Sequence, residues 1–292
     1  MTQPLDEGDK HQPSNMTMIT STYIKYLESA GARVVPIHYN HTYEHIDDLM
    51  SKINGILFTG GNLNLVDPKT GEFCDFARVS NYIYNKAIEL NENGIHFPLW
   101  GTCQGHQLLM LLESKDKEII TKCPRVYLPD SLNFKFIDQL QTKMYHDFPD
   151  DLIIAAETQP ITYNIHGLGI KTTDFYNNDN LLANYTLLST NIDDNDNEYI
   201  SSTEHKKYPF YTVQYHPERN IFKFNKPNIP HSQEAIELAS LLAEKFVNEA
   251  KGNMNHFDTY SETIFASVEK TGYDEIDIDI LDDTCYFKYA FP

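Results

Sequence analysis

From Phe97 to Leu112 the chain runs apolar, turns once and runs apolar again, and the turn is Gly101-Thr102-Cys103-Gln104-Gly105. Phe97 to Trp100 reads as a short strand and Gln104 to about Ser114 as a helix, so the two join with almost no linker. Glycine on either side of the cysteine permits a sharp strand-to-helix turn with the middle residue at its tip. That is the geometry of a nucleophile elbow, with sulfur in place of the hydroxyl. The alternative is a cysteine buried in a tight turn. Two glycines and a helix onset occurring together favour the nucleophile.

A free thiol has a pKa near 8.5, and full activation can mean a drop of roughly four units, about 5.5 kcal/mol. A helix N-terminus supplies at most ~2 kcal/mol, so a paired imidazole is needed. Of twelve histidines, His216 has the fitting context: Phe210 to Gln214 reads as a strand, Pro217 breaks it, and Glu218 lies two residues on. A histidine at a strand's carboxyl end projects into the same edge crevice as Cys103, and Glu218 could orient its ring. Taken alone, the same pattern describes a surface histidine after an edge strand. Gly60-Gly61 ends another expected strand. An N–H there, at Gly61, and the N–H of Gln104 at the helix start could receive an oxyanion. No Gly-Lys-Ser/Thr follows the glycine pair, so it is not a phosphate loop. His38, His41 and His45 suggest a metal at first glance but fit a loop and a helix start better. Asp193 to Asn197 lacks the glycine of a calcium loop and reads as a hairpin turn.

Along the rest of the first half, helix and strand alternate with short links. Thr20 to Ala30 has helical spacing, Arg33 to Ile37 is a β-branched run that reads as a strand, and Glu44 to Ile53 is helical. Gly55 to Thr59 is a strand, 62–78 an irregular loop, and Val79 to Asn93 a helix. This alternation implies parallel strands with crossover helices, an α/β layered fold. After residue 120 strands are expected at Ile153 to Ala156, Thr162 to Ile165, Tyr185 to Thr190, Tyr199 to Ser202 and Phe210 to Gln214. Ser232 to Ala250 reads as an amphipathic helix with Ile236, Ala239, Ala243 and Phe246 on one stripe. The acidic tail, 268–292, ends in an expected strand from Cys285 to Tyr289, and a single domain spanning 1–292 fits best. Met1 to Asn15 reads as a polar loop leading straight into a helix, although α/β folds of this kind open on a strand.

The formal net charge of −19, from 42 acids against 23 Lys plus Arg, argues against a nucleic-acid partner. No apolar run approaches the roughly 18 to 20 residues needed to cross a bilayer, so no membrane partner is expected. Cysteines at 74, 103, 123 and 285 show neither a C-x-x-C pair nor zinc spacing. With Cys103 a working thiolate, at least one of the other three stays outside any internal disulfide. Glycosylation triplets at Asn15, Asn40 and Asn184 are weak evidence of secretion, and no signal peptide is visible.

Together, these segments resemble the class I glutamine-amidotransferase-like superfamily, and within it the γ-glutamyl hydrolases, the folate hydrolases of peptidase family C26. The likeness runs through Tyr23 to Pro36, Asn54 to Gly61, Phe97 to Cys103, Tyr208 to Glu218 and Phe246 to Ala250. It implies a three-layer, flavodoxin-like fold with a mostly parallel central sheet, helices on both faces and an added antiparallel region. Family members carry a targeting segment and a first strand ahead of Thr2-Gln3-Pro4, and both are expected to be missing here. By the resemblance Cys103 is the nucleophile, His216 the acid–base and Glu218 its support, while His166 sits where the family has an active-site histidine. The implied substrate is a folate poly-γ-glutamate, cleaved through an acyl-enzyme without metal or cofactor. The resemblance also implies a lysosomal, vacuolar or extracellular setting and allows a homodimer. One departure is Gln104-Gly-His-Gln107 after the nucleophile, closer to amidotransferases than to the Gly-Phe-Glu common in the hydrolases. A glutaminase subunit feeding a synthase and an inactive binding homologue are the competing readings.

Overall fold

The computed structural model describes residues 1–4, 17–135, 138–226, 228–268, 274–275 and 286–289. In chain order the elements are β1 (Gln3–Pro4), β2 (Thr17–Thr20), α1 (Ser21–Ser29), α2 (Tyr43–Met50), β3 (Ile56–Phe58), α3 (Asp75–Glu92), β4 (Leu99–Thr102) and α4 (Gln104–Ser114). They continue with β5 (Thr121–Asp130), β6 (Asn133–Phe134), α5 (Asp150–Thr158), β7 (Thr162–Gly169), α6 (Thr172–Tyr176), α7 (Asp179–Asn184), β8 (Tyr185–Ile192), β9 (Glu198–His205) and β10 (Phe210–Val213). The last are α8 (Pro217–Phe222), α9 (Gln233–Lys251), α10 (Tyr260–Ala266), β11 (Asp274–Glu275) and β12 (Tyr286–Tyr289).

The central sheet has the order β3-β4-β10-β9-β8-β6. Its first three strands are parallel, with Ile56 and Phe210 both opposite Leu99, and the rest are antiparallel. Alternation along the strands sends side chains to two separate cores. Ile56, Phe58, Leu99 and Phe210 join Ile46, Ile83 and the Leu108–Leu112 run of α2, α3 and α4. Leu57, Trp100, Tyr211 and Val213 join Tyr23, Leu238, Leu242 and Phe246 of α1 and α9 on the other face. Helices therefore cover both faces, the three-layer α/β arrangement expected. The parallel strands occupy one half of the sheet, and much of the expected antiparallel region is its continuation. A separate two-stranded ribbon, β5 with β7, stands beside it.

Several expectations need correction. Arg33 to Ile37 is not a strand, because a ladder needs a neighbour. A cavity of about 440 Å³ lies between that stretch and Ile56-Leu57. At its end the Met1 amino group donates to the Leu57 carbonyl at 2.7 Å, and the Thr2 N–H donates to the Ile37 carbonyl at 2.8 Å. Burial of that amine lowers its pKa to about 5. Ile153 to Ala156 lies in α5, where Leu152, Ile153, Ala155 and Ala156 are buried and Ile154 is exposed. Asp150 and Asp151 in its first turn favour that helix electrostatically, and four apolar residues alone do not separate helix from strand. β5 was not expected, since Pro124 and Pro129 interrupt it, and both of its register shifts fall near them. α3 starts at Asp75, inside the stretch expected as loop, with the Cys74 sulfur accepting from the Ala77 N–H. On α9 the buried stripe is Ala235, Leu238, Ala239, Leu242, Ala243, Phe246 and Val247, and Ile236 faces outward. Gln3 and Pro4 pair with β2 rather than lying in a loop, whereas Asn15 and Cys285 lie outside the described residues. Among the described residues no helix is long and apolar enough to cross a membrane.

Candidate active site

Three neighbouring parallel strands end at one rim. β3 delivers Gly60-Gly61, β4 delivers Cys103, and β10 is followed after two residues by His216. The turn after β4 is as tight as its glycines suggest. Cys103 has φ 53° and ψ −107°, a strained conformation for a side-chain-bearing residue, and its N–H is held by the Val213 carbonyl at 2.8 Å. A Cβ on Gly101 would sit 2.5 Å from the Gly105 oxygen, and one on Gly105 would sit 2.1 Å from the Phe58 oxygen. Helix α4 can lie this close to β3 and β4 only without those methyl groups. Gly105→Ala is therefore expected to cost about 3 kcal/mol, measured by urea unfolding. Unchanged stability would show that the elbow has room to spare.

The cysteine and histidine face each other across Gly60. A Cβ placed there would be 2.9 Å from His216 Cε1 and 3.2 Å from Cys103 Cβ, so those two atoms are no more than about 6 Å apart. His216 Nδ1 pairs with Glu218 Oε1 at 2.7 Å, and all three side chains are buried. Cys103 is close enough to act on the ring's charge, although Nε2 closes no hydrogen bond of ordinary geometry. Burial opposes charge on this ring, but the Glu218 carboxylate and Cys103 outweigh it and raise the pKa to about 9. Burial likewise opposes charge on Glu218, and the His216 imidazolium outweighs it, holding the carboxyl below its usual range. Tyr23, which sequence reasoning did not single out, adds its hydroxyl 3.4 Å from Nδ1 and accepts the Gly60 N–H at 2.8 Å. Nothing in Tyr23's helical spacing marked it for that place.

Gly61 and Gln104 both line the cleft beside Cys103. The Gln104 side chain is occupied with the facing loop: its Nε2 donates to the Leu63 carbonyl at 2.8 Å and its Oε1 accepts the Leu63 N–H at 3.2 Å. It thereby fixes the Gly60–Leu63 loop against the elbow. Gln107 Nε2 donates to the Leu168 carbonyl and to Gln214 Oε1. His166 comes from β7 and is buried in the cleft wall. Burial first, and then the charge of His216, lower its pKa to about 4. Carbonyls of Cys123 and Leu168 lie near its ring, but neither nitrogen closes a hydrogen bond.

The cleft encloses about 490 Å³. Among the described residues its lining cations are Arg219, Lys223 and Lys226, and other cations lie outside it. Arg78 pairs with Asp75, Lys207 pairs with Glu92, and Arg125 is held by Asp130 and Asp194. His38, His41 and His45 stack edge-on as neighbours, with centroids 4.7 and 4.2 Å apart, and among the described residues no group has metal-binding geometry.

A thiol facing an imidazole backed by a carboxylate, at the carboxyl rim of parallel strands, defines a cysteine-hydrolase type of site. The Peptidase C26 profile matches residues 2–218, and the chain belongs to that family. Human γ-glutamyl hydrolase is 39% identical over 245 residues, covering 84% of this chain and 74% of the human protein. Dictyostelium discoideum γ-glutamyl hydrolase B is 36% identical over 251 residues, covering 86% and 70%. Arabidopsis thaliana γ-glutamyl hydrolase 1 is 30% identical over 275 residues, covering 90% and 76%. The chain is a hydrolase of this family.

Proposed function

We propose that the chain cleaves γ-glutamyl amide bonds of folate poly-γ-glutamates through a thioester on Cys103. The observation that carries this reading is the arrival of Cys103, His216 and Gly60-Gly61 at one rim from three adjacent parallel strands. The Cys103 thiolate attacks the amide carbonyl, and backbone N–H groups at Gly61 and Gln104 receive the developing oxyanion. The His216 imidazolium gives its proton to the departing amine. The neutral ring then takes a proton from water, whose oxygen attacks the thioester and frees the thiol. Glu218 keeps the ring's Nδ1–H directed inward, so that Nε2 faces the reacting atoms.

The test is incubation of the wild-type chain with a folate polyglutamate, following glutamate and shortened folates by mass spectrometry. Release of ammonia from free glutamine, with no cleavage of γ-glutamyl peptides, would favour a glutaminase instead. Glu218→Gln provides a second check. With His216 at about 9, activity should fall on the alkaline side near that pH, because deprotonated His216 cannot protonate the leaving amine. Removing the carboxylate charge should move that limb to lower pH and reduce kcat by about 100-fold or more. An unmoved limb would mean that Glu218 does not set the His216 charge.

A further inference from the structure

We propose that Gln3 is a positioning residue of the oxyanion site: its carboxamide sets the spacing between the Gly61 and Gln104 N–H donors, and so governs kcat rather than substrate binding. This rests on the hydrolase reading above and adds a residue to it.

The need for such a residue follows from where the sheet ends. β3 and β4 pair as far as Phe58 opposite Gly101. Gly60-Gly61 and Gln104 lie past that last pair, on two separate loops. An oxyanion receives two good hydrogen bonds only when both donors keep their places to within about 0.5 Å. Beyond the ladder, side chains have to supply that registration. On the first loop the Gly60 N–H is committed to the Tyr23 hydroxyl and the Leu63 N–H to Gln104 Oε1. Gly61 stands between them.

Gln3 reaches both loops. Its Nε2 donates to the Thr59 carbonyl at 3.4 Å and to Gln104 Oε1 at 3.3 Å, tying the end of β3 to the residue after the nucleophile. Both partners are acceptors, so only the amide nitrogen fits on that side and the orientation of the carboxamide is set. The rest of the group lies against Gly61, where a Cβ would come 2.5 Å from Gln3 Cδ. The lack of a side chain at position 61 is what admits Gln3, and Gln3 in turn limits how far that loop can shift toward it.

Burial argues the same way. Gln3 is 2% exposed, and a buried amide carries a desolvation cost that only its hydrogen bonds offset. An apolar side chain of equal length would fill the place without that cost if packing were its whole role. The backbone that delivers the carboxamide is anchored on both sides. Gln3 pairs with Met18 of β2, and the preceding Thr2 N–H donates to the Ile37 carbonyl. From that base the side chain joins groups 56 and 101 positions away in the sequence.

The test uses the full chain with two substitutions. Gln3→Met keeps the length and removes the amide, while Gln3→Glu keeps the shape and puts a carboxylate beside the oxyanion. On a γ-glutamyl dipeptide kcat should fall about tenfold in Gln3→Met and about a hundredfold in Gln3→Glu, with KM within about twofold of wild type. Alkylation of Cys103 by iodoacetamide displaces iodide from a saturated carbon and forms no oxyanion. Its rate in Gln3→Met should therefore stay within about twofold of wild type. Unchanged kcat in both variants would overturn the proposal. So would a loss carried by KM, which marks a substrate contact, or a parallel loss of alkylation, which marks general damage to the elbow. If Gln3→Met melts early, the isosteric Gln3→Glu decides through the same kcat and KM. A wild-type chain that cleaves no γ-glutamyl peptide would instead remove the hydrolase reading, whereas wild-type turnover that survives in the variants removes this inference alone.

Discussion

Cys103→Ala is expected to lower kcat on a γ-glutamyl substrate by at least about ten-thousand-fold while leaving the fold intact. Alanine keeps the Cβ, so the strained turn at φ 53° is no worse than before, and only the sulfur is lost. The remaining described cysteines cannot substitute. Cys74 caps α3 and is only half buried, with burial raising its pKa. Cys123 is buried, and desolvation pushes it up to about 11, away from thiolate character. Steady-state kinetics with a thermal melt of each protein checks both halves of the expectation. An equal melting temperature with lost turnover places the loss in chemistry.

The second large effect is on stability, and it runs against acid. Burial holds His38 and His106 at about 3 and His41, His166 and His205 at about 4, all below the ordinary 6.5. Unfolding restores the ordinary value, so between pH 4 and 6.5 the unfolded chain binds more protons than the folded one. This contribution is complete above about 6.5 and is lost as pH falls, by up to ~1.4 kcal/mol per unit for each histidine. His41 is partly exposed and screened by solvent, so the four more deeply buried rings carry the effect, which amounts to a few kcal/mol against the roughly 5–15 kcal/mol a domain possesses. His205 shows why: its Nδ1 accepts the N–H groups of Lys207 and Tyr208, both at 3.0 Å, and protonation abolishes that acceptor.

His216 acts in the opposite direction. Its folded value near 9 exceeds the unfolded one, so its contribution is complete below 6.5 and disappears as pH rises through 9. Stability should therefore peak between about pH 6.5 and 8, with a steep acid side. Urea melts from pH 8 to 4.5 measure the slope, and His205→Gln should make the acid side shallower by about one proton. A flat acid limb would mean that these rings are hydrated or paired when folded. The same titration bears on the acidic setting implied by the family resemblance, since a chain that works there must resist this proton uptake.

Most of the site's rim was readable because its signals are local. Glycines around Cys103 and the Pro217 break after β10 each dictate backbone geometry over a few residues, and the structure places Cys103, His216, Glu218, Gly61, Gln104 and His166 around one cleft. The parallel half of the sheet followed from apolar runs joined by helical repeats. Where neighbours decide, the sequence misled. Arg33 to Ile37 has strand composition but no adjacent ladder, and Ile153 to Ala156 is helical because its flanks and burial pattern are. Tyr23 and Gln3 reach the site from an outer helix and a two-residue strand. No spacing in the chain connects them to residues about 100 to 190 positions away.

Intact-protein mass spectrometry on samples quenched in acid during turnover would test the nucleophile most directly. The wild-type chain should gain the mass of a glutamyl-containing acyl group, mapped by digestion to the peptide bearing Cys103, and Cys103→Ala should gain nothing. An acyl group on a different side chain, or glutamate release by Cys103→Ala at the wild-type rate, would contradict the account.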